Sequence, residues 1–171
     1  MRAPLLLTGG PAAGKSTTAR RLADGLPLAA VVDVDDVRQL VTSGHAAPWQ
    51  GDEGAGQHRL GVENACDLAR RFTGAGIDVV LSDVVSRDTE VLYRRLLRGV
   101  VVVRLLASLA EARLRARSRP AFITEQELDL LHRREADTPA AADHALDVGS
   151  MGVEEQVRAV DEVWIGERSR R

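Results

Sequence analysis

Short, continuously apolar runs alternate along the chain with longer segments in which apolar residues recur every three or four positions. The apolar runs predict β-strands at residues 3–8, 29–34, 77–82, 100–106 and 144–148. The helical spacing predicts helices at residues 16–24, 58–73, 89–98, 108–118, 125–136 and 153–164. Strands that are apolar throughout are typical of parallel sheets covered on both faces. The pattern therefore predicts one α/β domain in which a five-stranded parallel sheet has helices on both sides.

The first strand and the first helix are joined by Gly-Gly-Pro-Ala-Ala-Gly-Lys-Ser at residues 9–16. This sequence matches the phosphate-loop motif G-x-x-x-x-G-K-[ST]. Glycines let backbone N–H groups approach phosphate oxygens, and the following helix adds its positive N-terminal end. Lys15 is expected on the β- and γ-phosphates as a catalytic residue, and the Ser16 hydroxyl on Mg²⁺. The predicted nucleotide-binding residues of this segment are Gly9, Gly10, Ala12, Ala13, Gly14, Lys15, Ser16 and Thr17.

The composition supports this interpretation of the loop. The chain has 23 basic residues, of which 22 are arginine, and Lys15 is its only lysine. A lysine kept at this one position favours a phosphate loop over a chance glycine-rich turn. The 25 acidic residues give a net charge of −2, so a protein that coats nucleic acid is disfavoured.

Acidic residues follow the second predicted strand, in the segment Val32-Asp33-Val34-Asp35-Asp36. Asp33 and Asp35 are two residues apart, so on an extended chain they point to the same side. Ligands of open parallel sheets bind at the carboxyl ends of the strands, where this pair falls. One of the two carboxylates could hold Mg²⁺ through water, and the other could accept a proton from an attacking hydroxyl. Asp36 is assigned to a helix cap or to surface charge.

The third predicted strand also ends in an acid, since Asp83 follows the apolar run Val79-Val80-Leu81 and Ser82. In phosphate-loop proteins an Asp at the end of an apolar strand is the usual second metal-holding element. We expect Asp83 near Mg²⁺ or the substrate, and it is the alternative to Asp35 as the general base.

Taken together, these segments resemble the small phosphate-loop kinases, a group that includes adenylate, shikimate and gluconate kinases, chloramphenicol phosphotransferase and the zeta toxins. Residues 9–17 and 32–38 carry the resemblance at motif level, and the layout of elements extends it over most of the chain. It implies a three-layer α/β/α P-loop NTPase fold, with ATP and Mg²⁺ as cofactors. The D-x-D of shikimate kinase and zeta-toxin relatives implies that Asp33 serves the metal and Asp35 is the base. Arg38 matches an arginine that contacts the substrate in some relatives.

A later predicted helix is rich in arginine. In the kinases that the chain resembles, an arginine-bearing helix and a lid close over the phosphates, and a planar guanidinium grips phosphate oxygens at two points. One or two of Arg113, Arg117 and Arg119 are expected to touch phosphate, with Arg117 catalytic, and residues 119–139 are expected to form the lid. A solvated amphipathic helix is the alternative for each single arginine.

The segment 43–60 matches none of these families, and in this fold class it faces the acceptor. Trp49 could stack on a ring, and His45, His58 or Arg59 could bond to it, although local packing within the loop is the alternative for the histidines and for Trp49. The predicted substrate-binding residues are Asp35, Arg38, Trp49, His58 and Arg59.

The site residues favour an ATP- and Mg²⁺-dependent kinase that acts on a hydroxyl of a small molecule such as an antibiotic, a sugar or a nucleoside. A GTPase is disfavoured because its N-K-x-D motif needs a second lysine, and a motor ATPase because Asp83 is followed by Val84. A zeta-toxin-like kinase of nucleotide sugars, a polynucleotide-end kinase and a P-loop ATPase without an acceptor are the alternatives.

The remaining features place the protein in a broad class. No apolar run approaches the roughly 20 residues of a membrane helix, so we expect a cytoplasmic protein without membrane contact. The lone Cys66 excludes an intrachain disulfide, and its helical spacing with Val62 and Ala69 indicates a core residue. Oligomeric state is left open.

Overall fold

All five predicted strands and all six predicted helices are present in the computed structural model, which describes residues 2–117, 124–137 and 139–167. The strands are β1 (Leu5–Thr8), β2 (Ala29–Asp33), β3 (Asp78–Ser82), β4 (Val101–Leu106) and β5 (His144–Asp147). The helices are α1 (Lys15–Asp24), α2 (Val34–Arg38), α3 (Gly51–Gly74), α4 (Arg87–Leu96), α5 (Leu109–Arg117), α6 (Glu125–Asp137) and α7 (Val153–Gly166).

The strands form one sheet in the order β2-β3-β1-β4-β5, and every neighbouring pair is parallel. Because β1 lies between β3 and β4, the chain leaves β1 first to one side and later to the other, which opens a crevice at the carboxyl ends of the strands. The register places Leu7 of β1 and Asp33 of β2 on either side of Ser82 in β3. The loop after β1 and the acids after β2 and β3 therefore meet at one edge.

Two apolar cores lie on opposite faces of this sheet. On one face Leu6, Leu81 and Val102 pack against α3 and α4, with Cys66 and Tyr93 fully buried among them. On the other face Leu5, Leu7, Val80, Val101 and Val103 pack against α1 and α7. Alternate strand residues are buried on both sides, which confirms the predicted three-layer arrangement. Cys66 is a core residue, as its helical spacing indicates.

The acidic segment after β2 differs from the prediction, which treated it as an extension of the strand. Asp33 ends β2 and caps a short helix, α2, because its side chain accepts a hydrogen bond of 3.1 Å from the backbone N–H of Asp35. Asp35 lies in the first turn of α2, so the two carboxylates do not share a strand face. Asp33, and not Asp36, is the helix cap, and Asp36 is an exposed surface residue.

The predicted acceptor-side insert is also more regular than expected, since α3 begins at Gly51 and not near residue 58. Three glycines in its first turns weaken its helix propensity. The segment before α3 packs closely against the helix at Gly54, where a Cβ would lie 1.9 Å from the carbonyl oxygen of Ala47. This close packing requires glycine and offsets the low helix propensity. Gln57 ties the two segments together further, since its side chain bonds the backbone of Gly44 and Ala46.

The part of the predicted lid that the structure describes is α6, which begins with a capping box. The Thr124 backbone N–H donates to Glu127, and the Glu127 backbone N–H donates to the Thr124 hydroxyl, over 2.8 and 3.2 Å. Arg119 and the rest of the 118–123 segment lie outside the described residues. Residues 2–117, 124–137 and 139–167 contain no helix with the length and hydrophobicity that a membrane span requires.

Candidate active site

The loop between β1 and α1 has the shape of an anion cradle. Gly9 and Gly14 have φ of +137° and +93°, a region that favours glycine. A side chain at Gly9 would also place its Cβ 2.2 Å from the carbonyl oxygen of Leu105, so glycine is required there. Gly14 caps α1 without any side-chain hydrogen bond. The N-terminal end of this helix, with its positive dipole end, is a favourable place for phosphate oxygens.

Lys15 folds back over the loop that precedes it. Its Nζ donates hydrogen bonds of 3.0 Å to the carbonyl oxygens of Gly9 and Gly10. Burial lowers the pKa of Lys15, and the nearby carboxylates of Asp35 and Asp83 oppose that shift. The ammonium group thus lies in a poorly hydrated cleft, where the charge of a phosphate would stabilise it.

The hydroxyl of Ser16 and the carboxylate of Asp33 form the second part of the site. Ser16 Oγ donates to Asp33 Oδ2 over 2.7 Å, while Asp33 Oδ1 caps α2. No cluster of three or more His, Cys, Asp or Glu side chains that could hold a metal ion occurs in residues 2–117, 124–137 and 139–167. This donor set fits Mg²⁺ bound to a nucleotide, because Mg²⁺ keeps several waters and takes phosphate oxygens in place of an all-protein cage.

Asp35 faces the same cleft and is held by Arg38. The buried Arg38 donates from Nη1 to Asp35 Oδ1 over 2.7 Å, and its Nη2 lies 3.4 Å from His45 Nε2. The pKa of Asp35 is raised, first because the walls of the cleft desolvate the carboxyl and second because Asp83 repels its charge; Arg38 offsets part of this. The side chain of Asp35 is still 63% exposed, since it faces an open cavity. A proton acceptor with a raised pKa is therefore accessible to a ligand in the cleft.

Asp83 is surrounded by donors of this chain. Its carboxylate accepts hydrogen bonds from the Tyr93 hydroxyl at 2.9 Å and the Val84 N–H at 2.7 Å, and His58 Nε2 lies 3.2 Å from both oxygens. Burial raises the pKa of Tyr93 well above its usual range, and the charge of Asp83 adds to that shift. The residue is only 6% exposed. In this arrangement Asp83 orients His58; the assignment of Asp83 to Mg²⁺ stays a prediction.

One cavity of about 570 Å³ brings most of the sequence-predicted site residues together. Of those, it is lined by Ala12, Lys15, Ser16, Asp33, Asp35, Arg38, Trp49, His58 and Asp83. We call it the central cavity. Residues of the phosphate loop line it together with Trp49 and His58. A group bound at the loop and a second molecule beside Asp35 would share this space.

Solved kinase structures match this fold over nearly the whole chain. A sugar kinase from Janibacter sp. superposes with a TM-score of 0.71 at 16% identity, covering 97% of this chain and 95% of that chain. A gluconokinase from Sinorhizobium meliloti gives 0.70 at 17% identity, covering 98% and 93%. A shikimate kinase from Acinetobacter baumannii, solved with shikimate, gives 0.67 at 22% identity, covering 96% and 94%. This chain has the fold of the small P-loop kinases. No protein-family model matches the sequence, and no curated protein matches it either.

Within this P-loop kinase fold, the arginines of α5 have different surroundings. Arg113 forms two hydrogen bonds with Asp129 of α6, at 2.6 and 3.2 Å. Arg117 is exposed at the end of α5 and is absent from the lining of the central cavity among the described residues. Arg115, which the sequence did not single out, donates to the carbonyl oxygens of Ala13 and Val148 at 3.3 and 2.6 Å. Arg115 thus supports the phosphate loop from behind, and phosphate contacts of Arg113 and Arg117 stay predictions.

His132 of α6 is the site residue that the sequence missed. Its ring lies over the phosphate loop of the P-loop kinase fold, because a side chain at Gly10 would place its Cβ 3.1 Å from His132 Nε2. That nitrogen is buried and has no hydrogen-bond partner in the described part of the chain. Burial lowers the pKa of His132; the charge of Glu135 opposes that shift, and the charge of Lys15 adds to it. The sequence pattern could not identify this histidine as a site residue, because the phosphate loop that its ring covers lies about 120 residues earlier in the chain.

Proposed function

We propose that the protein is an ATP- and Mg²⁺-dependent phosphotransferase that acts on a hydroxyl of a small molecule. The observation that carries the proposal is the shared central cavity, in which the Asp35 carboxylate faces the same space as Lys15 and Ser16. Phosphoryl transfer needs little covalent chemistry from the protein, mainly positioning and neutralisation of charge. The cavity offers both, together with a carboxylate for the acceptor proton.

Each residue then has a distinct role. Lys15 would exchange the carbonyl oxygens of Gly9 and Gly10 for the β- and γ-phosphate oxygens. Asp35 would accept the proton of the attacking hydroxyl, and its raised pKa suits that task because a stronger base takes a proton more readily. Arg38 would hold Asp35 in place, since the guanidinium is buried and bonded to it.

Ser16 and Asp33 would hold the metal, Ser16 through its hydroxyl and Asp33 through a bound water. Bound Mg²⁺ would neutralise charge on the phosphates. The Ser16–Asp33 hydrogen bond keeps the two donors 2.7 Å apart, so both would face one ion.

The acceptor hydroxyl would belong to an antibiotic, a sugar or a nucleoside. Three alternatives use the same loop: a zeta-toxin-like kinase of nucleotide sugars, a polynucleotide-end kinase, and a P-loop ATPase that transfers phosphate to water. The two kinase alternatives differ in the size and charge of the acceptor, and the ATPase differs in needing no acceptor at all.

A release assay separates these possibilities. The protein is incubated with ATP and Mg²⁺ and with compounds of each class in turn, and ADP is measured together with the ³¹P spectrum of the product. A phosphate monoester whose formation depends on one acceptor class supports the proposal. Inorganic phosphate formed at the same rate without any acceptor would make the protein an ATPase.

A further inference from the structure

Gln156 of α7 is a polar side chain on the buried face of an amphipathic helix. It lies in one stripe with Val160 and Trp164 at a spacing of four residues, and all three are buried, Gln156 with an exposed fraction of 4%. Burying an amide costs free energy unless its polar atoms are hydrogen-bonded. The hydrogen bonds of Gln156 therefore account for a glutamine at a position where the helix pattern favours an apolar residue.

The side-chain amide of Gln156 is bonded to the phosphate loop and to the helix that follows it. Its Nε2 donates to the carbonyl oxygen of Ala13 over 3.1 Å and to the hydroxyl of Thr18 over 2.8 Å. The same nitrogen packs against Gly14, where a Cβ would lie 2.8 Å from it. A single side chain thus joins α7 to a loop 143 residues earlier in the chain.

The Ala13 carbonyl oxygen also accepts a hydrogen bond from a second side chain. Arg115 Nη1 donates to it over 3.3 Å, while Arg115 Nη2 donates to the carbonyl oxygens of Val148 and Gly149 over 2.6 and 3.3 Å. Donors from two different helices, α5 and α7, therefore hold one carbonyl group of the phosphate loop. We call Gln156, Arg115 and the Ala13 carbonyl the carbonyl clamp.

The conformation of the loop needs such support. Ala12 has φ of +59°, in the left-handed region, which costs free energy for a residue with a Cβ. A residue in such a conformation persists where the surrounding structure fixes it. The carbonyl clamp supplies a constraint of this kind at Ala13, the next residue of the loop.

The orientation of the Ala13 carbonyl also determines where the N–H of the next residue points. The Ala13–Gly14 peptide is trans, so its C=O and N–H point in opposite directions. Ala12 and Lys15 line the central cavity. Within the described part of the chain, Ala13 and Gln156 are absent from that lining. The carbonyl therefore points away from the cavity towards α7, and the Gly14 N–H points towards the cavity.

We propose that Gln156 is a positioning residue for the nucleotide, which together with Arg115 prevents the Ala13–Gly14 peptide from flipping. This inference rests on the proposed function, since it assumes that the loop binds the phosphates of a nucleotide. Backbone N–H groups that converge in a loop form an anion site. In a flipped peptide the Ala13 carbonyl oxygen would face the phosphates in place of the Gly14 N–H and would repel them.

Variants in and around the carbonyl clamp separate positioning from stability. Gln156→Met keeps the length of the side chain and removes the donor, so it should weaken the binding of ADP and ATP about tenfold in calorimetric titration with Mg²⁺. Gln156→Leu is a second variant with the same expected result. Thr18→Val is the matched control, because it removes the other hydrogen bond of the same amide and leaves the Ala13 carbonyl bonded.

A further control accounts for damage to α7 itself. Val160→Ala removes buried methyl groups from the next turn of the helix, so it should lower the midpoint of urea unfolding. Thr18→Val should lower that midpoint as well, because it leaves the buried Gln156 amide with one acceptor fewer. Both controls should bind ADP and ATP as the wild type does.

Tripolyphosphate locates the loss, because it offers the phosphates without the base. Gln156→Met should weaken the binding of tripolyphosphate and of ADP by the same factor. A loss confined to ADP, an equal loss of nucleotide binding in Thr18→Val and Val160→Ala, or wild-type affinity in both Gln156 variants would each overturn the inference.

ADP release from ATP, measured with the acceptor classes named above, keeps this inference separate from the proposed function. Nucleotide binding that depends on Gln156, without transfer to any acceptor, would uphold the carbonyl clamp and count against the kinase. Transfer by Gln156→Met with the wild-type KM for ATP would uphold the kinase and overturn the carbonyl clamp. No binding of ADP, ATP or tripolyphosphate by the wild type would overturn both.

Discussion

His58 and Asp83 face each other in the lining of the central cavity, with His58 Nε2 3.2 Å from each oxygen of the Asp83 carboxylate. Burial alone would lower the pKa of His58, but the hydrogen bond and the charge of Asp83 outweigh it and raise that pKa. α3 is thereby tied to the end of β3 through a charge-assisted contact. The contact is strongest when the imidazole is protonated.

This pair makes stability depend on pH. A group whose pKa is raised by folding contributes stability below its unfolded pKa, about 6.5 for histidine, and loses it as the pH rises through the folded value. His58→Gln should therefore lower the free energy of unfolding more at pH 6 than at pH 9, measured by urea denaturation. Tyr93→Phe is the control: losing its hydrogen bond to Asp83 should cost about 1–2 kcal/mol at both pH values. An equal cost of His58→Gln at both pH values would contradict the contact.

Lys15→Ala should abolish phosphoryl transfer, with a loss of at least about a hundredfold in kcat, because no other lysine can replace it. The fold should remain, since burial disfavours the charge of Lys15, and its ammonium bonds carbonyl oxygens of the phosphate loop and not the apolar cores. Circular dichroism melting checks that the fold remains, and ADP release checks the loss of phosphoryl transfer. Lys15→Arg should also be inactive, because a guanidinium does not fit the place of a compact ammonium. Near-normal turnover in either variant would refute the site.

Asp35→Asn should lower kcat strongly and change ATP binding little, because it removes the proton acceptor and keeps the shape of the side chain. In the wild type, kcat should fall as the pH decreases through the raised pKa of Asp35, since the protonated acid cannot take the hydroxyl proton. Asp33→Asn should instead raise the Mg²⁺ concentration needed for half-maximal rate. Steady-state kinetics across pH and Mg²⁺ measure both effects. If Asp35→Asn stayed active while Asp83→Asn lost activity, the base would be Asp83.

His132 gives a prediction about the nucleotide. Lys15 is expected on the β- and γ-phosphates and bonds the Gly10 carbonyl, so the His132 ring over Gly10 lies near the γ-phosphate end of the loop. His132→Phe should weaken ATP binding about fivefold and ADP binding much less, because one hydrogen bond to phosphate is lost. His132→Asn, which keeps a donor, should recover part of the loss. Calorimetric titration of both nucleotides measures this, and equal losses for ATP and ADP would place the ring elsewhere.

Nucleotide choice and metal dependence form the last prediction. ATP should bind more tightly than GTP, because the sequence has no N-K-x-D motif for guanine, and turnover should stop when Mg²⁺ is removed by EDTA. Competition between the two nucleotides and re-addition of Mg²⁺ check both points. Tighter GTP binding, or full turnover in EDTA, would contradict them.

The elements that the sequence predicted best are those that depend on local patterns. The strands are continuously apolar because both faces of a parallel sheet are buried, and the phosphate loop has fixed glycine positions. The sequence did not predict the start of α3, because its glycines have low helix propensity. The contact between Gly54 and Ala47 that offsets this propensity is a tertiary contact, which the sequence pattern does not show. The helix at Val34–Arg38 was missed because one cap at Asp33 overrides the strand pattern.

The site residues divide in the same way, into those predicted from local sequence patterns and those that depend on tertiary contacts. Lys15 and Ser16 were predicted by the loop motif, and Asp33 and Asp35 by their place after the second strand; all four line one cavity, and their roles stay predictions. The use of Asp83 as the partner of His58 and Tyr93 could not be predicted, because it brings together α3, β3 and α4. The position of Arg115 likewise depends on the contact between α5 and the loop after β5, about 33 residues further along the chain.

The folded-back side chain of Lys15 offers one further use. Since the chain has a single lysine, a sample labelled with ¹⁵N only at lysine Nζ contains one labelled ammonium, and it lies on the phosphate loop. Its resonance would report nucleotide occupancy, proton exchange and local hydration at one atom, without assignment of the rest of the spectrum. Release of Nζ from the Gly9 and Gly10 carbonyls could then be timed against each turnover of the protein.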